Sequence, residues 1–330
     1  MAGEWTRQRV AVIGAGAIGG AIAARLDAIG HEVVVVARGE NLAAIERHGL
    51  RLRGALGAHN ARIPAVAALE ERPEVAILAT KATGAAAALE ASRAALADVP
   101  LLVVQNGLGG ERAAAALLGH ERVAGGIALM AANSMEPGVV TVTAAGDTIV
   151  GGREGARFEA LLGEALPTSL TASIEGAQWT KLLINMVNAI PAIVGRSVQD
   201  VIRDPGLRAV LVASMRETAR TGLAARVRFQ PLQGLGPALV RLVASAPDRV
   251  ASLVPLRIAD RLGEVPNLGS TQQSIRRGQP TEVDAINGAV VEAAATLGLD
   301  APVNAALVGL VHEVERTGRF LPASTVRALA

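Results

Sequence analysis

The segment "WTKLLINMVN", residues 179 to 188, reads as a helix that is apolar on nearly every side yet carries one lysine and two asparagines. At ~100° per residue, Lys181, Asn185 and Asn188 fall within a wedge of roughly 60°, while Leu182, Leu183, Ile184, Met186 and Val187 cover the other directions. So narrow a polar stripe either faces water or lines a site. The residue types suit a site: a desolvated ammonium can release its proton, and a carboxamide can hold a hydroxyl or carbonyl without adding charge. Of the 32 basic residues only Lys81 and Lys181 are lysine. Arginine keeps its proton, so lysine is retained where proton release or a compact charge is needed, with chance in a biased composition as the competing explanation.

A second group of residues points to a different chemistry. Gly14-Ala15-Gly16-Ala17-Ile18-Gly19 fits G-x-G-x-x-G between an apolar run and a helical stretch. The first glycine permits a tight turn, the second lets backbone approach a pyrophosphate, and the third lets the helix pack on the strand. The next apolar run ends in Ala37 and Arg38 instead of Asp or Glu, which favours the 2′-phosphate of NADP(H), while Glu40 nearby keeps NAD(H) open. Lys81 follows "AILAT" and Asn106 follows "LLVVQ", where ligands gather beyond the carboxyl ends of strands.

These residues need elements to place them. Residues 9 to 37 read as strand, tight turn, helix, strand. "EVAILAT" (74 to 80), an alanine-rich helix at 84 to 97, "LLVVQ" (101 to 105) and a helix near 110 to 118 continue the alternation, which predicts a doubly wound, Rossmann-like α/β sheet. "RVAGGIALM" adds a strand, and "GVVTVTAA" with "DTIVGG" predicts a hairpin turning at Gly146. Strand signals stop after "SLTA", so residues 1–172 are expected to form the dinucleotide-binding domain and 173–330 an all-helical substrate and catalytic domain. In that half, Thr281 and Asp284 have capping-box spacing at the start of a helix running to Gly298, Glu282 sits in its first turn, and Ser270 lies in a preceding loop.

Composition removes several classes of function. With 51% apolar against 19% charged residues the chain folds, and 330 residues suffice for two cores. Cysteine is absent, and His31, His48, His59, His120 and His312 lack the spacing that places two ligands on one helix face, so no metal is expected. A net charge of +2, 2% aromatics and no tyrosine argue against nucleic acid. Arg7 and Arg9 before an apolar run imitate a secretory leader, but glycines punctuate the run and Arg25 and Asp27 continue its helix. The run is also short of the ~20 residues that span a bilayer, so a cytoplasmic protein without a membrane partner is expected.

Taken together, "VAVIGAGAIGG", "ARGENLAAIERHGL", "ATKA", "QNGLG", "WTKLLINMVN" and "GSTQQSIRRGQPTEVDAINGAVVEAAATLGLDAPVN" span nearly the whole chain, which resembles the ketopantoate reductases (2-dehydropantoate 2-reductases). The resemblance implies NADPH-dependent reduction of a small-molecule 2-oxo acid, ketopantoate foremost. It makes Lys181 the proton donor, Asn185 and Ser270 substrate ligands, Glu282 a group at the junction of cofactor and substrate, and Asn106 a contact to both. Arg38 and Lys81 would serve the phosphorylated ribose and Ala131 would line the cofactor site. Where the family commonly has a second asparagine, eight residues after the lysine, this chain has Ala189; Asn188, one residue earlier and turned by ~100°, either serves the same end or leaves the substrate's distal hydroxyl to be recognised differently. The segment between about 200 and 266 is also longer than in compact members. A related oxidoreductase acting on another 2-oxo acid or an imine, and a dinucleotide-binding sensor without turnover, remain alternatives. A homodimer through the helical half is the assembly that fold-level analogy suggests.

Overall fold

The computed structural model describes residues 7–119 and 121–330, so His120 lies outside the described residues. The chain divides into two compact units, one holding the described residues up to Gln105 with Gly109–Ile174, the other holding Asn106–Leu108 with Glu175–Ala330.

The strands of the first unit are β1 (Arg9–Ile13), β2 (Glu32–Val36), β3 (Leu50–Gly54), β4 (His59–Ala61), β5 (Ala65–Val66), β6 (Val75–Leu78), β7 (Leu101–Val104), β8 (Val123–Ala128), β9 (Ala131–Asn133), β10 (Val139–Ala144), β11 (Thr148–Gly151) and β12 (Thr168–Leu170). Its helices are α1 (Ala17–Ala28), α2 (Gly39–His48), α3 (Ala82–Ala91), α4 (Gly110–Leu118) and α5 (Gly155–Gly163). An eight-stranded sheet runs β12-β11-β8-β7-β6-β1-β2-β5. Its centre is parallel, with β1 paired to β2 on one side and β6 on the other. Val10, Val12, Ile77 and Leu78 there are almost fully buried, as expected of strands covered on both faces. Strand order reverses between β1 and β6, and the crevice beyond their carboxyl ends is where such sheets bind ligands.

The hairpin expected about Gly146 does not form. β10 joins a second sheet of order β4-β3-β10-β9, whereas β11 pairs antiparallel with β8 in the first. A Cβ on Gly146 would come within 2.6 Å of the Leu129 carbonyl and the Met130 nitrogen, so this glycine lets the chain pass close to backbone as it changes sheets. "RVAGGIALM" forms β8 in the first sheet and ends at the same crossing, with β9 starting just beyond it in the second. α1 lies between the two sheets: its Ile22 and Leu26 share a core with Val10 and Val12 on one side and Leu50, Leu52, Val140 and Val142 on the other. Each such fully buried side chain contributes about 1.5 to 3 kcal/mol.

The second unit is helical, as expected. It comprises α6 (Ile174–Asn185), a 3-10 turn at Met186–Asn188, α7 (Ala189–Val194), α8 (Val198–Arg203), α9 (Pro205–Ala224), α10 (Pro237–Ser245), α11 (Asp248–Ala251), α12 (Leu253–Leu262), α13 (Gly269–Arg276), a π-turn at Asp284–Gly288, α14 (Ala289–Thr296), α15 (Pro302–Thr317) and α16 (Ala323–Arg327). The long segment between 200 and 266 is therefore mostly helix, and Val210, Leu211, Val240, Val243 and Val254 bury it against the rest of the core. α9 begins cleanly because Pro205 occupies its first turn and the Asp204 carboxylate accepts from Gly206 and Leu207 N–H at 3.1 and 3.2 Å. The α15 N-terminus is held from outside, the Glu217 carboxylate accepting from Val303 and Asn304 N–H at 2.9 Å each. Among the described residues no helix is long and apolar enough to cross a membrane.

The capping box at Thr281 is replaced by longer-range bonds. Thr281 Oγ1 accepts from Val283 N–H at 3.3 Å, while Thr281 N–H donates to Glu315 Oε1 at 2.7 Å and Asp284 turns to His312 at 2.9 Å. The helix then opens as a π-turn, pinned by Asn287 Nδ2 donating to the fully buried Asn304 Oδ1 at 2.9 Å.

Candidate active site

In the first unit the three glycines have three separate reasons to be glycine. Gly14 has φ +103°, and a Cβ on it would lie 2.8 Å from the backbone nitrogen of Thr80. On Gly19 a Cβ would lie 1.9 Å from the Gly14 carbonyl oxygen, so α1 could not seat on the turn. Gly16, the residue capping α1, would meet nothing within 4 Å and has no positive φ. Among the described residues nothing requires a glycine there. The space in front of it, at a helix N-terminus, fits a pyrophosphate approaching backbone. Ala15 is buried, while Ala17 and Ile18 open α1 half-buried.

Arg38 is exposed and caps α2 directly beyond β2, with the exposed Glu40 in the first turn of that helix. Lys81 is half-buried and caps α3 just beyond β6. Gly14, Arg38 and Lys81 thus follow the carboxyl ends of three adjacent strands. Ala131 stands apart from that row, exposed at the head of β9 in the other sheet. Two supporting residues went unread in the sequence. Asn41 Nδ2 donates to the Ala15 carbonyl at 2.8 Å, and Gln105 Nε2 donates to the Thr80 carbonyl at 2.9 Å, so side chains brace the glycine turn and tie the end of β6. Neither carries a local signal, because each bond joins residues more than twenty positions apart.

In the second unit α6 delivers Lys181 and Asn185 from an otherwise apolar helix, with Leu182, Leu183 and Met186 in the core. The 3-10 turn keeps Asn188 on that face, since residues three apart eclipse in such a turn. Asn185 is only 7% exposed, so the stripe does not face bulk water. Burial alone brings the Lys181 amine down from an ordinary 10.5 to about 8.

A polar chain joins three distant segments beside it. Asn185 Nδ2 donates to Asn106 Oδ1 at 3.4 Å, and Asn106 Nδ2 donates to Glu282 Oε2 at 3.1 Å. Gly107 makes this possible: with φ +92° and the Ala285 carbonyl oxygen 2.2 Å from where its Cβ would be, only glycine lets this segment lie against the π-turn. Glu282 meets Asn106, and no ion pair between it and Lys181 forms among the described residues. The lysine is therefore tuned by desolvation and not by a carboxylate. Ser270 is exposed in the first turn of α13, a helix where a loop was expected. Next to it Gly269 abuts the Asn188 carboxamide, whose oxygen would be 2.7 Å from an added Cβ.

Comparison with known proteins bears on this arrangement. The family description "Ketopantoate reductase PanE/ApbA" matches residues 10–155, and "Ketopantoate reductase PanE/ApbA C terminal" matches residues 173–315. The 2-dehydropantoate 2-reductase of Archaeoglobus fulgidus is 31% identical, covering 93% of this chain and 98% of that one. The chain belongs to the ketopantoate reductase family. The Pyrococcus horikoshii 2-dehydropantoate 2-reductase is 29% identical over 94% of this chain and 98% of its own. A crystal structure of a family ketopantoate reductase from Ralstonia eutropha superposes with a TM-score of 0.80 at 30% identity, covering 93% of this chain and 98% of that one. In this member of the ketopantoate reductase family, Ala189 is sunk in the helical core at 1% exposure, while Asn188 is half-buried beside Gly269. The side chain at 189 therefore packs and cannot reach a ligand.

Proposed function

We propose that the protein reduces a 2-oxo acid to the 2-hydroxy acid, 2-dehydropantoate (ketopantoate) to pantoate in the first instance, using NADPH. The observation that carries this reading is Lys181: a lone amine in an apolar helix, brought to about 8 by desolvation, beside the Asn185–Asn106–Glu282 chain. When bound, the reduced nicotinamide supplies a hydride. Lys181 protonates the oxygen that becomes the hydroxyl. At neutral pH an amine of this acidity is still mostly charged and is a far better acid than an ordinary lysine, and a placed general acid contributes ~10² to 10⁴ in rate.

The remaining residues bind and orient. Asn185 and Asn188 offer uncharged hydrogen bonds to the substrate, and Ser270, in the first turn of α13, takes its carboxylate end. Asn106 and Glu282 hold the substrate and the ribose side of the cofactor in register. The turn from Gly14 to Gly19, through Ala15, Gly16, Ala17 and Ile18, receives the pyrophosphate. Arg38 and Lys81, beyond the two strands that flank β1, take the 2′-phosphate, which is the basis for choosing NADPH over NADH. Ala131 lines the cofactor site by family resemblance alone.

Loss of NADPH absorbance with a panel of 2-oxo acids tests the proposal. Consumption with ketopantoate, and a fall of about tenfold in NADPH-over-NADH preference in Arg38→Ala, are the expected results. Turnover of a different 2-oxo acid alone would reassign the substrate, a change to which the packed Ala189 lends weight. Nucleotide binding without any turnover would identify a sensor.

A further inference from the structure

We propose that Glu315 and His312 on α15 are positioning residues that bracket Glu282, through the Thr281 backbone N–H on one side and the Asp284 carboxylate on the other, and fix its carboxylate toward Asn106. The inference rests on the role given to Glu282 above. Glu315 Oε1 accepts from Thr281 N–H at 2.7 Å, one residue before Glu282. Glu315 Oε2 accepts from His312 Nδ1 at 2.6 Å, and His312 Nε2 donates to Asp284 Oδ1 at 2.9 Å, two residues after it. The segment from 281 to 284 is thereby gripped at both ends from α15, whose own start is tied down by Glu217. Glu282, half-buried between the two grips, makes its 3.1 Å bond to Asn106.

The bracket is better suited to aiming a side chain than to holding the fold. Thr281 and Val283 are already buried, and α15 is anchored by Leu307, Val311 and Val314 with no exposure at all. The His312 pairs are half-exposed, and such ion pairs add little to global stability. Among the described residues these side chains do not form a metal-holding group. Both ring nitrogens of His312 face carboxylates, an arrangement that only the imidazolium satisfies. The charged groups acting on it are Asp284 from the π-turn and Glu315 from its own helix, and their hydrogen bonds raise its pKa. Glu315 is pushed up by burial, but the bonds from Thr281 and His312 outweigh this and leave it below the usual range. The bracket is therefore complete at lower pH and opens as pH rises through the raised value of His312.

The test uses the full chain with NADPH and the 2-oxo acid it turns over, measuring kcat, KM and melting temperature. Glu315→Ala is expected to lower kcat about tenfold with KM and melting temperature near wild type, and Glu315→Gln, which keeps an oxygen for Thr281 N–H, to recover most of the loss. In a Glu282→Gln background, Glu315→Ala should have no further effect on kcat, because its target is gone. Losses that multiply across the two sites, or a single Glu315→Ala variant within twofold of wild type while Glu282→Gln is impaired, would overturn the bracket and leave the role of Glu282 standing. Undiminished kcat in Glu282→Gln would overturn that role and the bracket with it.

Discussion

The turn at residues 14–19 and the polar chain from Asn185 to Glu282 solve the problem of placing polar groups in opposite ways. The glycine turn presents backbone: at Gly14 and Gly19 a side chain would collide, and Gly16 stands beside open space. The polar chain presents side chains, and its members are separated by 79 residues between Asn106 and Asn185 and 176 between Asn106 and Glu282. A site made of backbone is encoded in six consecutive letters. A site made of side chains is encoded in the fold that brings them together.

The contrast can be broken most severely at Lys181. Lys181→Ala should lower kcat by ~10² to 10⁴ while leaving dinucleotide affinity within twofold, as read by single-turnover kinetics and fluorescence titration. In the wild type the reduction rate should fall as pH rises through about 8, when the amine loses the proton it is proposed to donate. The next largest effect separates the glycines. Gly19→Ala collides with the Gly14 carbonyl and should cost at least ~3 kcal/mol of stability in chemical denaturation, whereas Gly16→Ala should leave stability within about 0.5 kcal/mol. Gly16→Ala should instead weaken dinucleotide binding by about tenfold or more, and an equal effect of both variants on stability would erase the distinction. The smallest effect concerns stability and pH. Lys181→Met removes a desolvated charge and should stabilise the fold by about 1 to 3 kcal/mol near pH 7. The Lys181 pKa is depressed by folding, so this gain should be constant below about 8 and shrink as pH rises toward 10.5, where the amine is neutral folded or unfolded.

What could be read in the letters follows the same division. The β1 turn, α1 and β2 were legible because strand, glycines and helix are contiguous, and Lys181 with Asn185 was legible because both lie one turn apart on one helix. The four-stranded sheet was not read, although Leu50-Arg51-Leu52-Arg53 carries an alternating pattern that marks a half-buried strand. The hairpin about Gly146 was misread because a glycine that permits close backbone passage looks the same in sequence as one that permits a turn. Thr281 and Asp284 have the spacing of a capping box, yet Glu315 and His312, some thirty residues on, compete successfully for both. The brace from Asn41 to the Ala15 carbonyl was invisible for the same reason.

The placement of α1 has a consequence for recognition speed. One side of the helix start is packed against Gly14, and on the other Gly20 would carry its Cβ 2.7 Å from Val140 in the second sheet, so close contacts on both sides restrain the helix start whose amide groups face the Gly16 space. A mould already set surrenders almost no conformational freedom on capture. Dinucleotide association should accordingly proceed in a single exponential whose rate climbs linearly with concentration, without the plateau that a loop obliged to reorganise would impose.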